Sequence, residues 1–203
     1  MLEFDKASHT YRLAGAVIPH VTKVTDELSS YAGVPADVLR RKAEIGDAVH
    51  FATELEDADD LDFDSLPAEI RGYLDAWRKF KRDTDFVPSV SEQRVHSPLY
   101  RFAGTLDRIG YFGRLKGIKP TVSALIDLKT TYAILPAVGP QTAGYAQAWS
   151  ETCARGLKVT RRFAVQLKSD GTYNLHECAD PSDWSVFLSA LTLLNWKTRN
   201  GIG

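Results

Sequence analysis

Residues 124–129, ALIDLK, form an apolar segment of strand-like composition that contains one acid and one base. Along a β-strand, side chains two residues apart point to the same face. Asp127 and Lys129 are therefore expected on one side of the strand, with Ile126 and Leu128 on the other. Charged side chains are seldom buried unless they are paired. The segment therefore predicts either a structural ion pair or a pair of residues in a functional site.

The composition is that of a globular protein with one domain. The chain has 203 residues, of which 44% are hydrophobic and 25% charged, enough for a sizeable core. No apolar run has the length of a membrane span, and the start, MLEFDKASHTY, lacks a secretion signal. Cys153 and Cys178 form no CxxC pair, so we expect free thiols, no zinc or iron–sulfur site, and a cytoplasmic location.

The charge is unevenly distributed along the chain. The net charge is −1, but the acidic segment, residues 54–64, holds seven acids and no Lys or Arg, which leaves about +6 for the remaining residues. Basic clusters occur at residues 40–42, 78–82 and 158–162. Such clusters are more often solvated surface than phosphate contacts, so they permit a nucleic-acid partner without requiring one.

The front of the chain predicts a β-hairpin followed by helices. Residues 2–20 indicate a hairpin that bends near Ala14-Gly15, and Thr22 or Thr25 is expected to cap a short helix. Pro35 suits the first turn of a helix that runs to about Leu55. The acidic segment is expected to be a loop, and residues 66–83 a helix with one apolar face.

The rest of the chain predicts an α/β fold. Strands are expected at 89–97, 100–113 and 121–131, then a helix at 138–155, strands at 159–168 and 172–178, and a helix at 180–197. This order indicates a mixed central β-sheet flanked by helices, in which the first three strands form an antiparallel meander.

A second acid, Asp107, lies in the strand-like run GTLDRIG. Alone, Asp107 or Asp127 would more often be an ordinary surface or paired acid. If the two converge on neighbouring strands, their oxygens suit Mg²⁺ or Mn²⁺, which can polarise a phosphate and lower the pKa of a bound water. Lys129 beside them would orient or deprotonate that water.

Four short motifs occur in an order that resembles a known family. They are Gly46-Asp47-Ala48-Val49-His50, Gly104-Thr105-Leu106-Asp107, Asp127-Leu128-Lys129, and Gln141 with Tyr145. Each is weak alone, but together they resemble the PD-(D/E)xK nuclease superfamily, in its RecB-like exonuclease branch of phage and prophage type. The N-terminal hairpin resembles that of phage members, with His20 in place of the usual Ser. Two cysteines cannot hold an iron–sulfur cluster, so the chain resembles a cluster-free member.

The resemblance implies a restriction-endonuclease-like core in a single nuclease domain. This domain, 1–203, would comprise the N-terminal hairpin and helices (1–85), a catalytic α/β core (86–177) and a C-terminal helix (178–203). Asp107, Asp127 and the Leu128 carbonyl would bind the metal, His50 would be an axial ligand, and Lys129 would be catalytic. The alternatives are an ion pair for Lys129 and a core position for His50.

The remaining candidates are assigned by the same resemblance. Gln141 and Tyr145 share a helix face and would position the lysine, water or phosphate, the alternative being an ordinary polar face. Glu92 would be a residue behind the ligands, a ligand of a second metal, or an exposed strand residue. Candidate DNA-binding residues are Arg40, Arg41, Lys42, Arg108, Arg161 and Arg162.

The implied activity is a Mg²⁺- or Mn²⁺-dependent DNA nuclease, foremost an exonuclease that leaves 5′-phosphates in phage recombination or repair. The alternatives are a structure-specific endonuclease on the same core and a non-catalytic DNA-binding module. DNA would lie in a groove lined by some of the basic clusters and would be held through its phosphates, without recognition of its sequence. The acidic segment would lie outside that groove, or would repel duplex DNA. The resemblance allows a single-strand annealing protein as partner and leaves polarity, strand preference and oligomeric state open.

Overall fold

The computed structural model describes residues 1–29, 33–120, 122–152 and 157–202. The strands are β1 Leu2–Asp5, β2 Thr10–Leu13, β3 Ala16–Ile18, β4 Phe86–Ser97, β5 Phe102–Phe112, β6 Ser123–Lys129, β7 Arg161–Leu167 and β8 Tyr173–Glu177. The helices are α1 Val21–Asp26, α2 Ala36–Asp57, α3 Ala68–Thr84, α4 Val138–Thr152 and α5 Asp183–Arg199, with a short 3₁₀ helix at Phe63–Ser65.

The N-terminal strands form a small antiparallel sheet in the order β1-β2-β3. Ala14 and Gly15 link β2 to β3 with φ values of 51° and 79°. Positive φ at both positions is the geometry of a tight hairpin turn that matches the twist of the strands. The predicted bend is therefore confirmed, with a third strand in addition to the expected hairpin.

The central sheet has five strands in the order β4-β5-β6-β7-β8. All neighbours are antiparallel except β6 and β7, which run parallel with Lys129 opposite Gln166. This confirms the predicted mixed sheet flanked by helices, with β4 to β6 as an antiparallel meander. Because β6 and β7 are parallel, their carboxyl ends lie at the same edge of the sheet.

The two faces of the sheet are covered by different helices, and β6 shows the expected alternation. Ile126 and Leu128 pack in the cluster that contains Trp77 of α3. Leu125 packs in the opposite cluster, which contains Trp149 of α4 and residues of α5. Because the strand is buried on both faces, it is apolar almost throughout and its two charges stand out.

Several predicted boundaries need correction. Residue His20, rather than Thr22 or Thr25, caps α1, because its Nδ1 accepts from the Lys23 N–H at 3.2 Å. The acidic segment is not wholly a loop, since α2 continues to Asp57. Cys178 is a buried free thiol. Cys153 and the predicted end of α4 at 155 lie outside the described residues. None of the helices in the described ranges is long and apolar enough to span a membrane.

Arg108 holds α2 to the central sheet from a fully buried position. Its Nε donates to Asp57 Oδ2 at 2.8 Å, its Nη1 to Glu92 Oε1 at 2.8 Å, and its Nη2 to Thr53 Oγ1 at 3.1 Å. The guanidinium of Arg108 is enclosed and already paired, so it has a structural role, and its contact with DNA stays a prediction. Its partner Asp57 belongs to the acidic segment, so that part of the segment has a structural role.

The His20 cap makes stability depend on pH. Burial, followed by the charges of His9 and Lys23, lowers the pKa of His20 from 6.5 to about 4. Because the folded-state pKa lies below the unfolded one, the stabilisation is complete above pH 6.5 and is lost as pH falls towards 4. His20→Asn keeps a capping acceptor that does not titrate.

Between pH 7 and pH 4, wild-type protein should lose about 1–2 kcal/mol more unfolding free energy than His20→Asn, a value reduced for the partly exposed ring. Urea unfolding at four pH values measures this difference. Equal losses in the two proteins would show that the pKa of His20 does not differ between the folded and unfolded states.

The buried Arg108 network should dominate the polar contribution to stability. Arg108→Met leaves two acids without their buried partner, so we expect a loss of about 3–5 kcal/mol in unfolding free energy. The matched control is Lys79→Met, which breaks the exposed Lys79–Asp83 pair (2.7 Å) on α3 and should cost less than about 1 kcal/mol. Similar small losses for both variants would mean that the network is dispensable.

Candidate functional site

Three potential ligand side chains converge where α2 crosses β4 and β5. His50, Glu92 and Asp107 each offer one ligand atom, and these atoms lie within 4.8 Å of one another. His50 Nδ1 is 3.5 Å from Asp107 Oδ1 and 3.6 Å from Glu92 Oε1. Within the described ranges, this is the group of His, Cys, Asp and Glu residues with a spacing suited to a metal ion.

Glu92 reaches this group through an unusual backbone conformation. It lies in β4 between two residues that pair with β5, Ser91 with Arg108 and Gln93 with Leu106. Its φ is 44°, in the left-handed region that costs a non-glycine residue about 1–2 kcal/mol. The ion pair with Arg108 helps to offset this cost. Strain of this kind accumulates at functional sites, which favours a role for Glu92 beyond that of an exposed strand residue.

Asp107 connects the group to β6. The backbone pairs of β5 with β6 run from Tyr111 and Ser123 to Arg108 and Ile126. Just beyond the last pair, Asp107 Oδ2 accepts a hydrogen bond from the Leu128 N–H at 2.6 Å. A side chain thus continues the connection between the strands where the backbone ladder ends. Oδ1 remains directed at His50, while the Leu128 carbonyl as a metal ligand stays a prediction.

Asp127 and Lys129 do share a side of β6. Lys129 Nζ lies 2.7 Å from Asp127 Oδ2. That oxygen is buried, with the ammonium group as its charged partner. Asp127 lies outside the compact group of His50, Glu92 and Asp107. The ion pair itself agrees with both interpretations of the ALIDLK segment.

The electrostatics of the group are those of several acids around one imidazole. Burial, with the charges of Asp127 and Glu92, raises the pKa of Asp107 to about 6, although His50 opposes the shift. Burial would lower the pKa of His50, but Asp107 and Glu92 outweigh it and raise the pKa to about 9. Burial opposes ionisation of Glu92, but His50 and Arg108 prevail and lower its pKa. The carboxylates of the site therefore stabilise a positively charged group that lies between them.

Tyr145 of α4 approaches the same acids through a gap left by Gly104. A Cβ added at Gly104 would lie 2.7 Å from the Cε1 atom of Tyr145, so this glycine is required for the close approach of the ring. Tyr145 and Gln141 are both buried. Burial, followed by the charges of Asp107 and Asp127, raises the pKa of Tyr145 well above 10. Tyr145 therefore remains a neutral phenol that can donate a hydrogen bond.

Gly46 lies one turn before His50 on α2, beside the end of β6. A Cβ at this position would be 3.6 Å from Thr130 Oγ1, an ordinary contact. The two glycines of the motifs therefore differ. Packing requires a glycine at position 104, whereas the surroundings of Gly46 have room for a Cβ atom.

The predicted basic residues differ in their availability. Arg40, Arg41 and Lys42 lie on the exposed first half of α2, where Arg41 Nη2 donates to Glu69 Oε2 at 2.6 Å. Arg161 is paired with Glu177. Arg162 donates to Asp183 Oδ2 at 3.0 Å and to the Gly139 carbonyl at 2.8 Å. Arg161 and Arg162 therefore have structural partners, and their contact with DNA stays a prediction.

The role of Glu92 was open from the sequence, and Asp57 and Thr53 were not among the predicted site residues. The strand register contains a signal for Glu92, because an antiparallel β4–β5 pair that matches Ser91 with Arg108 brings Glu92 beside Asp107. No local pattern indicates that Asp57, in a run of acids, neutralises a buried arginine.

Comparisons with known proteins give fold-level similarity. No protein-family model matches the sequence, and neither does any curated protein. Among solved structures, an alkaline exonuclease (LHK-Exo) from Laribacter hongkongensis is similar over 90% of this chain and 88% of its own, with 14% identity and a TM-score of 0.45. LHK-Exo in complex with dAMP is similar over 91% and 89%, with 15% identity and a TM-score of 0.45. SSO0001 is similar over 76% and 80%, with 16% identity and a TM-score of 0.35. These values do not assign the chain to a family.

Proposed function

We propose that the protein is a divalent-metal-dependent DNA nuclease of the PD-(D/E)xK type, and specifically an exonuclease that leaves 5′-phosphates. The observation that carries the proposal is the convergence of the His50, Glu92 and Asp107 ligand atoms within 4.8 Å of one another, beside the Asp127–Lys129 pair. A structural ion pair accounts for Asp127 and Lys129 alone. It does not account for the convergence of His50 and Asp107 with Glu92.

The donor set fits a small hard cation. Carboxylate oxygens suit Mg²⁺ and Mn²⁺, and the imidazole of His50 favours Mn²⁺ of the two. Asp127 Oδ2 is buried and lies 2.7 Å from the Lys129 ammonium, and a carboxylate has further lone pairs for a second positive partner. His50, Glu92 and Asp107 would hold the ion, and Asp127 and the Leu128 carbonyl would be the further ligands that the resemblance implies. When bound, the ion would polarise a phosphate and lower the pKa of water.

The other residues of the site would act on the phosphodiester itself. Lys129, held near Asp127, would orient the attacking water, accept its proton, or neutralise charge that develops on the phosphoryl oxygens. Tyr145 stays a phenol and would donate a hydrogen bond to a phosphate oxygen or to the water. Gln141, one helical turn earlier on α4, would orient the same groups. Attack of water on the phosphorus would break the P–O3′ bond, so that one product carries a 5′-phosphate and the 3′-oxygen leaves and is protonated to a hydroxyl.

Loss of Lys129 should abolish most of the activity without unfolding the protein. On end-labelled linear DNA with Mn²⁺ or Mg²⁺, Lys129→Ala should reduce the cleavage rate by about 10²–10⁴-fold, the usual contribution of a proton-transfer group. Asp127→Asn should reduce it similarly. The matched control, Asp180→Asn, alters an exposed acid whose oxygen contacts Ser182, and it should cut at the wild-type rate.

The same assay separates the alternatives. An exonuclease degrades linear DNA and leaves closed circular DNA intact, whereas an endonuclease cuts both. A native protein that cuts no DNA with any divalent metal would refute the enzyme proposal and favour a non-catalytic DNA-binding module.

Metal binding can be tested apart from catalysis. Titration of Mn²⁺, followed by electron paramagnetic resonance, should show one site whose affinity falls at least about tenfold in His50→Ala and in Glu92→Gln. His176→Ala is the matched control, because His176 is exposed on β8, at the sheet edge opposite to β4. Equal Mn²⁺ affinity in wild-type, His50→Ala and Glu92→Gln proteins would remove the cluster as the metal site.

A further inference from the structure

An open cavity of about 500 Å³ lies at the carboxyl ends of β6 and β7. This volume is within the range of small-molecule binding sites. Lys42 of α2 and Tyr73 of α3 form one side, residues 130–132 form the middle, and residues 166–170 with Asn174 form the other side. None of these residues has a role in the chemistry proposed above.

The cavity lies beside the candidate active site. Thr130, in its wall, directly follows Lys129, and Thr130 Oγ1 faces Gly46 of α2. Lys42 is eight residues before His50, which corresponds to about 12 Å along the helix axis. A strand whose phosphate lies at Lys129 would therefore reach the cavity within a few nucleotides.

A buried amide fixes the middle wall. Gln166 is buried at the end of β7, and its Nε2 donates to the carbonyls of Thr131 and Tyr132 at 2.7 and 2.6 Å. Its own Oε1 lies 2.8 Å from the side-chain amide of Asn174. These bonds anchor the backbone of Tyr132 while its ring is fully exposed to solvent. An anchored and fully exposed aromatic ring is suited to stacking with a ligand.

Contact with α3 fixes the opposite wall. A Cβ added at Gly72 would lie 1.8 Å from the carbonyl oxygen of Ser169, so α3 touches the β7–β8 turn through a glycine. The turn carries Lys168, whose N–H donates to the Thr172 carbonyl at 3.0 Å. The position of Lys168 on the rim is therefore set by rigid elements.

The charge of the lining favours an anion. Lys42 and Lys168 are opposed by one acid, Asp170. The carboxylate of Asp170 accepts hydrogen bonds from the Thr172 N–H at 2.9 Å and the Thr172 hydroxyl at 2.6 Å, so it is engaged within its own turn. Two ammonium groups, threonine hydroxyls and an exposed aromatic ring are the combination that binds a phosphate with an attached base.

We propose that this cavity binds one nucleotide of an unpaired DNA strand, next to the scissile phosphate: Lys42 and Lys168 hold its phosphate and Tyr132 stacks on its base. The inference rests on the proposed nuclease function and adds a strand preference to it. A base must leave its helix to stack on a side chain, and the cavity volume of about 500 Å³ suits one nucleotide. The protein therefore binds a single-stranded end.

The test is binding of small probes without metal, so that catalysis is not involved. In EDTA, isothermal titration should show that dTMP binds more tightly than thymidine or inorganic phosphate, because both the phosphate and the base are contacted. A Lys42→Ala/Lys168→Ala double variant should weaken dTMP binding at least about tenfold. Tyr132→Ala should weaken it about fivefold or more, and Tyr132→Phe should restore it, since only the ring is needed.

Lys116→Ala/Lys119→Ala is the matched control, because these exposed lysines precede β6 and lie at the opposite end of that strand. Its dTMP affinity should equal that of wild-type protein. Equal affinity in the Lys42/Lys168 double variant, or equal binding of dTMP and phosphate, would overturn the inference. If the protein binds dTMP at this cavity but cuts no DNA, the proposed nuclease function is refuted and the proposed binding site is retained.

A kinetic measurement tests the same site in the working enzyme. On a single-stranded oligonucleotide, Tyr132→Ala should raise KM about fivefold with kcat within twofold of wild type, and Tyr132→Phe should behave as wild type. An unchanged KM in Tyr132→Ala, in a protein that cuts DNA normally, would remove the stacking role.

Discussion

The buried guanidinium of Arg108 is the interaction on which the site depends. It lies on β5 and binds Asp57 at the end of α2 and Glu92 on β4. Through these bonds it fixes the helix that carries His50 and the strand that carries Glu92 against the strand that carries Asp107. A buried charge without partners would be costly, so the three elements must meet in this arrangement.

The same charge explains how several acids coexist in one place. Asp107, Glu92 and Asp127 would repel one another in the absence of cations. Arg108 compensates Glu92 from the core, Lys129 compensates Asp127, and His50 lies between Asp107 and Glu92. The protein thus supplies fixed positive groups around the acids, while the oxygens facing His50 remain suited to a further cation. Such a preorganised field is the usual basis of phosphoryl-transfer catalysis.

Local sequence patterns predicted the elements of this site better than its contacts. Alternation in ALIDLK placed Asp127 and Lys129 on one face of β6, and the ion pair between them agrees. The order of strands predicted the antiparallel meander that brings Asp107 next to β6. Nothing in the local sequence indicated the buried position of Arg108, a candidate DNA-binding residue, because its partner Asp57 is 51 residues away in sequence and lies in a run of acids that resembles a solvated segment.

The sequence by itself determined the mixed sheet, its flanking helices and the side of each strand that its charges occupy, because hydrophobic periodicity and turn residues act locally. Only the tertiary structure decided which acids converge, that Glu92 joins His50 and Asp107, and that a cavity anchored by Gln166 opens beside Lys129. Those features arise from contacts between residues far apart in sequence, and the distances between such residues are set by packing and by the satisfaction of buried polar groups.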